Sequence, residues 1–177
     1  MPWPQSKMSA IAIPDPLGRF VSTTLTFEDL ATLDAEELGS ANNPYAVIGL
    51  TITNALVKTA ANLNSASRGV ALECKRSSPA TNQKQIDLYF AKPQGGFGFF
   101  YRVPRSSSLT LEAFDNNGTT LERDLFPPEE GYAGMIRAWA EIGIVRISAK
   151  VEPLDIAENC CLYIDDLTFG RELKAGY

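Results

Sequence analysis

Short segments in which apolar and polar side chains alternate are the feature that most constrains the fold of this chain. Examples are "GLTITNA" (49–55), "QIDLYF" (85–90) and "SSLTLEAF" (107–114), and clusters of Gly, Pro, Asn, Asp and Ser separate such segments. This alternation places successive side chains on opposite faces of a β-strand. Roughly nine to eleven such strands, about 10–20 residues apart and without long helical segments, predict an all-β fold, a β-sandwich of jelly-roll type.

Local signals complete this prediction. The "DNNG" segment (115–118) between two alternating strands predicts a tight hairpin of type I′. "AGMIRAWAEIG" (133–143) contains good helix formers and predicts one short helix. The proline-rich segment 1–19 predicts an extended arm, residues 20–170 a single sandwich domain, and residues 171–177 a C-terminal tail.

Charge and composition exclude several classes of function. The 177 residues carry a formal net charge of −5, and the chain contains no histidine. Nucleic acid is not an expected partner, because binding to phosphates needs a basic surface. Zinc sites and catalysis by Ser-His-Asp or Cys-His groups need histidine. Carboxylates or a lysine remain for catalysis, and a hard cation bound by oxygen atoms remains as a metal.

The cysteine count and the apolar runs bear on location. The chain has three cysteines, Cys74, Cys160 and Cys161, and an odd count leaves at least one of them unpaired. Buried reduced thiols are the favoured interpretation. A disulfide between Cys74 and either of the other two, or a vicinal bridge between Cys160 and Cys161, stays open. No run approaches the ~18 apolar residues of a membrane helix, so no membrane insertion is expected. The first residues lack the apolar core of a signal peptide, which leaves a cytoplasmic chain or a removed leader.

Two pairs of acidic residues interrupt segments that otherwise resemble strands. Asp165 and Asp166 lie in "YIDDLTFG", and Glu28 and Asp29 lie in "TLTFEDL". Strict alternation places Asp165 on the face of Leu167 and Asp166 on the other face, so one carboxylate points toward the core. A buried carboxylate is costly unless it is paired or bound to a metal.

The first and last strands of a sandwich are often neighbours, which suggests a common explanation for these acids. Four carboxylates that converge repel one another, and a Ca²⁺ ion would remove that repulsion. Acids that face water at the strand ends are the alternative, followed by salt bridges to Lys or Arg.

The same two motifs resemble the segments that begin and end galactose-binding-like jelly-roll domains. This group includes carbohydrate-binding modules and secreted bacterial domains associated with sorting tails. The middle of the chain resembles them too, in "YAVIGLTITNA" (45–55), in 96–121 and in "IVRISAK" (144–150). The resemblance covers roughly residues 20–170 and implies the same fold.

The resemblance also implies a site. Its first and last strands would pair and share a structural calcium ion, with Glu28 and one of Asp165 or Asp166 as ligands and Asp29 as a less favoured one. The implied function is non-catalytic recognition of carbohydrate outside the cell or at its surface.

Aromatic side chains are the candidates for contact with such a ligand, because sugars stack on exposed aromatic rings. Trp139, Tyr132 and Tyr101 are the candidates here, although most aromatic residues of "QGGFGFFYR" (94–102) fit the core better. A structural or adhesion domain that binds a surface protein, or serves in assembly, is the alternative function. A glycan-acting enzyme is the least favoured, because no histidine and no nucleophile motif is present.

Overall fold

The chain folds into a sandwich of two antiparallel β-sheets. The computed structural model describes residues 9–61, 69–74, 83–105, 107–150 and 162–175. The strands of these ranges are β1 (Ser9–Ile11), β2 (Phe20–Leu25), β3 (Glu37–Leu38), β4 (Leu50–Thr53), β5 (Ala55–Ala61), β6 (Gly69–Cys74), β7 (Gln83–Gln94), β8 (Gly96–Val103), β9 (Leu109–Phe114), β10 (Thr120–Phe126), β11 (Glu129–Ile136), β12 (Ile142–Lys150) and β13 (Tyr163–Leu173). The predicted all-β sandwich is confirmed.

Helical structure is limited to three 3₁₀ segments, as far as the described residues go. They are Asp15–Arg19, Glu28–Leu33 and Ala46–Ile48. None of these helices is long and apolar enough to cross a membrane.

Most neighbouring strands come from distant parts of the sequence. The larger sheet has the order β1-β11-β8-β13-β6-β5-β3, with β2 also paired to β13, and the smaller sheet has the order β10-β9-β12-β7-β4. Leu25 of β2 lies opposite Leu167 of β13, so the first of the two acidic motifs begins on a strand that neighbours β13, as predicted. Glu28 and Asp29 themselves do not lie on that strand, as expected from the sequence, but in the 3₁₀ segment that follows it.

The alternation read from the sequence builds the core. Along β9, Leu109, Leu111 and Ala113 are buried, whereas the residues between them are partly exposed. Ile86 and Leu88 of β7 are buried on the same side of the smaller sheet and belong to one cluster with the inner residues of the larger sheet. Full burial of each large apolar side chain contributes about 1.5–3 kcal/mol, so this layer holds the sheets together.

The N-terminal segment packs on the outside of the larger sheet. Leu17 and Phe20 join Tyr132 in a second apolar cluster, together with Ile11 and Ile136. β1 is a strand of the larger sheet, and β13 continues to Leu173. The predicted boundaries at residues 19 and 170 therefore do not coincide with the ends of the folded unit; residues 1–8 lie outside the described ranges.

A β-bulge in β13 changes the predicted faces of the two aspartates. Asp165 lies opposite Phe100 and Thr168 lies opposite Gly98, so the register shifts between them. Asp166 has a φ of +48°, in the left-handed region. Because one extra residue is accommodated there, Asp165 does not share the face of Phe169, and the strict alternation expected for this strand is wrong.

The segment 133–143 does not form the predicted helix. Residues up to Ile136 belong to β11, a turn follows, and β12 begins at Ile142. The whole length of β11 is paired with β8, so its local helix propensity is overridden by sheet pairing.

The "DNNG" hairpin is confirmed, but its turn type differs from the prediction. The Gly118 N–H donates to the Asp115 carbonyl at 3.0 Å, and within the turn only Gly118 has a positive φ, +82°. This is a type I turn followed by a left-handed glycine, the common three-residue hairpin loop, and not type I′.

Candidate functional site

The outer face of the five-stranded sheet, which points away from the larger sheet, carries an ordered set of polar and aromatic side chains. These residues alternate with the core residues along each strand. The central row, with one residue per strand from β4 to β10, is Thr53, Asp87, Arg146, Glu112 and Arg123. Opposite charges therefore neighbour one another across four strands, an arrangement that stabilises a sheet.

Asp87 anchors this row. Its residue is only 4% exposed, yet its carboxylate accepts hydrogen bonds from Arg146 Nε at 3.1 Å and from Gln85 Nε2 at 2.9 Å. A third donor, Asn54 Nδ2, lies at 3.5 Å. A buried carboxylate needs such partners, and in return it fixes the position of each donor.

An aromatic row runs beside the charged row. Ile144 of β12 lies between Tyr89 of β7 and Phe114 of β9. Tyr89 is 39% exposed, and Phe114 is half-buried. The Arg146 guanidinium carbon lies 5.6 Å from the centre of the Phe114 ring, within the range of a cation–π contact. The ring and Asp87 together hold the guanidinium in one place.

This face offers hydrogen-bond donors, acceptors and an exposed ring side by side. Arg146, Gln85 and Asn54 supply N–H donors, and the carboxylates of Asp87 and Glu112 supply acceptors. Tyr89 supplies a solvent-accessible ring next to them. A ligand with hydroxyl groups on its edge and C–H groups on its face matches both parts.

The acidic residues predicted to bind calcium have partners within the chain. Glu28 Oε1 accepts a hydrogen bond from the Val70 N–H at 3.2 Å, and Asp29 Oδ1 accepts one from the Tyr45 hydroxyl at 2.9 Å. Burial, and then this bond to Asp29, raise the pKa of Tyr45 far above its ordinary value.

In β13, Asp165 Oδ1 accepts a hydrogen bond from the Asp166 N–H at 2.7 Å. Across the ranges that the structure describes, no three acidic or cysteine side chains gather closely enough to hold a metal ion. Calcium binding stays a prediction.

Two of the three predicted aromatic contacts lie inside the protein. Tyr101 is 2% exposed and donates to the Pro127 carbonyl at 2.7 Å, and Tyr132 is 6% exposed. Burial raises the pKa of both phenols, and the charge of Asp166 adds to the effect at Tyr132. Neither ring offers a face to solvent. Trp139, by contrast, is 63% exposed.

A second group of acids lies on the inner side of the edge strand β10. Glu122 and Asp124 lie opposite Ala113 and Leu111, whose side chains are in the core. Burial raises the pKa of Glu122 to about 7, helped by the neighbouring Asp124, whereas Arg137 opposes the rise. Asp124 Oδ2 is buried and has no hydrogen-bond partner among the described residues. A protonated Glu122 would supply a donor to Asp124.

The sequence contained part of the signal for the outer face. Alternation in "QIDLYF" places Asp87 and Tyr89 opposite the apolar residues of β7. It does not reveal Arg146 as the partner of Asp87, because β7 and β12 are separated by a long stretch of sequence and their register follows from the folded sheet.

Comparisons with known proteins show similarity at the level of the fold alone. No protein-family model matches the sequence, and no curated protein matches it significantly. The solved structures similar to this chain include the K2 cleaved adhesin domain of Lys-gingipain, with a TM-score of 0.45, 11% identity, and coverage of 84% of this chain and 99% of that chain.

Two carbohydrate-binding modules are similar to a comparable degree. CBM27-1 of Caldicellulosiruptor saccharolyticus, in complex with mannohexaose, has a TM-score of 0.45, 11% identity, and coverage of 86% of this chain and 98% of that chain. A variant of CBM29-2, of the family 29 carbohydrate-binding modules, has a TM-score of 0.43, 10% identity, and coverage of 85% and 91%. Values this low transfer neither a ligand nor an activity to this chain.

Proposed function

We propose that this protein is a non-catalytic carbohydrate-binding module whose ligand lies on the outer face of the five-stranded sheet. The observation that carries the proposal is the exposed Tyr89 ring beside the fixed Arg146–Asp87 pair. A pyranose ring has apolar C–H faces and a rim of hydroxyls, so an aromatic platform next to oriented donors and acceptors complements it.

The arrangement of the acids supports binding without catalysis. Glycoside hydrolysis uses two carboxyl groups on opposite sides of the scissile bond, about 5–10 Å apart. Of the two acids on the outer face, Asp87 and Glu112, Asp87 is buried and accepts hydrogen bonds from the side chains of its neighbours, so the face does not offer two free carboxyl groups. Glu122 and Asp124 are directed to the inner side of β10 and not to this face. An extracellular or cell-surface location accompanies the proposal, because polysaccharides are found there.

The test is binding to a panel of immobilised glycans, followed by titration of the best ligand. Tyr89→Ala should weaken binding about tenfold or more, a loss of about 1.4 kcal/mol, because it removes the stacking surface. Tyr89→Phe keeps the ring and should retain most of the affinity.

Val47→Ala is the matched control, because Val47 is 94% exposed in the 3₁₀ segment Ala46–Ile48 and belongs to none of the strands that form the outer face. Equal affinities for Tyr89→Ala and Val47→Ala on a bound glycan would refute the proposed surface. Failure of the wild-type protein to bind any glycan would refute the function.

Trp139 favours a second candidate function, binding to a protein. It is 63% exposed in the turn between β11 and β12, where an ion pair between Arg137 Nε and Glu141 Oε2, 2.6 Å long, spans the turn. An exposed tryptophan on a fixed turn is a typical anchor of protein interfaces. Loss of a surface-protein contact or of self-association in Trp139→Ala, with glycan binding unchanged, would support this candidate.

A further inference from the structure

We infer that the outer face of the five-stranded sheet takes uncharged sugars and rejects glycans that carry carboxylate or sulfate groups. The inference rests on the proposed carbohydrate-binding function and assigns the chemical class of its ligand. It follows from the order of charges along the central row.

The charges of the central row cancel. Asp87 and Glu112 contribute two negative charges, and Arg146 and Arg123 contribute two positive ones. The rows on either side are uncharged: Thr51, Tyr89, Ile144, Phe114 and Thr120 form one, and Gln85, Ser148, Thr110 and Leu125 form the other. Within these three rows, no cation is left over to neutralise an acidic sugar.

The central cation is shielded by acids on both sides. Arg146 lies opposite Asp87 on β7 and opposite Glu112 on β9, and its Nε already donates to Asp87. Residues directly opposite on neighbouring strands have Cβ atoms about 4.5–5.5 Å apart. An anionic group bound at Arg146 would therefore approach two carboxylates and be repelled by both.

Hydroxyl groups suit the same row. A hydroxyl donates one hydrogen bond and accepts others, so one group can bridge an arginine N–H and a neighbouring carboxylate. A sugar carboxylate or sulfate group can only accept hydrogen bonds. It would therefore bind the arginine but repel the carboxylates on either side of it. The chain's net charge of −5 disfavours polyanions at longer range as well.

Affinity electrophoresis and titration with defined probes test this inference. The probes are uncharged polysaccharides (glucan, mannan and xylan backbones), and sodium polygalacturonate and heparin as anionic ones. We expect binding only among the uncharged probes, with an affinity that changes little between low and high salt, since no net charge is neutralised on binding.

Glu112→Gln sharpens the test because it leaves one uncompensated positive charge in the row. We expect this variant to gain retention by polygalacturonate, roughly tenfold over the wild type. Glu172→Gln is the matched control, since it removes the same charge from an exposed position on β13. A gain of the same size in this control would show a general charge effect and overturn the assignment.

The outcomes distinguish a wrong ligand class from a wrong carbohydrate-binding function. Wild-type binding to polygalacturonate or heparin through Tyr89 would overturn the ligand class while the proposed carbohydrate function stands. Binding to no probe of either kind would overturn both. Circular dichroism and melting temperature confirm that each variant is folded before its binding is compared.

Discussion

The two adjacent aspartates of β13 have a conformational explanation at the scale of single residues. Asp166 has a φ of +48°, which costs most side chains energy and which aspartate, asparagine and glycine tolerate best. The Asp165 carboxylate accepts the Asp166 N–H, as in other local turns made by aspartate. The bulge therefore accounts for two adjacent residues that are poor strand formers.

The exposure of single side chains separates two tyrosines that the sequence pattern does not distinguish. Tyr101 and Tyr89 both lie in alternating strands, and only the folded sheets show that one ring faces the core and the other faces solvent. Alternation separates the two faces of a strand, but it does not say whether a second layer covers the outer one. The outer face of the larger sheet is covered by the N-terminal segment, which buries Tyr132.

Glu122 gives a prediction about pH. Its pKa is raised from 4.5 to about 7 in the folded protein, so between these values the folded state holds a proton that the unfolded state releases. Stability should therefore fall as pH rises from about 4.5 to about 7 and level off above. Glu122→Gln, which mimics the protonated form, should be more stable at pH 8 by about 1 kcal/mol, after allowance for solvent screening.

Urea unfolding of wild type and Glu122→Gln at several pH values between 5 and 8 measures this difference. A matched substitution at the exposed Glu36 should leave the pH slope of the wild type in place. Parallel pH profiles for Glu122→Gln and wild type would show that the carboxyl group does not hold its proton in the folded state.

At the scale of elements, prediction succeeded for one local hairpin and for one long-range pairing of strands. The β9–β10 hairpin was predicted from "DNNG" between two alternating strands, and the structure corrected only the type of its turn. The pairing of β2 with β13 was predicted from sandwich topology and the acidic motifs. The place of β1 beside β11 was not, because prolines in the first segment mask a three-residue strand that tertiary packing holds.

Gly98 tests how the N-terminal segment is packed on the larger sheet. A Cβ atom at this position would overlap the Tyr132 ring, with its Cε1 only 2.8 Å away. Gly98→Ala should therefore lower the free energy of unfolding by about 1–3 kcal/mol, the range for an overpacked site. Chemical denaturation gives the value, and an unchanged midpoint would mean that the ring moves aside without cost.

Tyr132→Phe provides the second half of a double-mutant cycle. The Tyr132 hydroxyl is buried without a hydrogen-bond partner among the described residues, so its removal should cost less than about 0.5 kcal/mol or stabilise the fold. The Cβ atom added by Gly98→Ala would overlap this hydroxyl as well as the ring, so the double variant should recover part of the loss. Strict additivity of the two changes would place the strain of Gly98→Ala elsewhere.

At the scale of the whole molecule, long-range pairing limits what the sequence predicts. Composition and alternation are properties of the chain, and they predicted the sandwich. The outer face combines side chains from β4, β7, β9, β10 and β12, whose order in the sheet is not their order in the sequence. Charge neutrality along the central row, from which the ligand class is inferred, exists only in that assembled order.

The pairing of β2 with β13 leads to the last prediction, which concerns whether an ion also joins these two strands. β2 and β13 pair through their backbones from Leu25 opposite Leu167 to Phe20 opposite Leu173, beside the bulge at Asp166. The calcium hypothesis expects the melting temperature to rise by several degrees from EDTA to millimolar CaCl₂, because an ion bound only by the folded state stabilises it by mass action. Glu28→Gln should abolish that rise. Coincident melting curves, with no metal found in the untreated protein, would mean that backbone pairing holds β2 and β13 together without an ion.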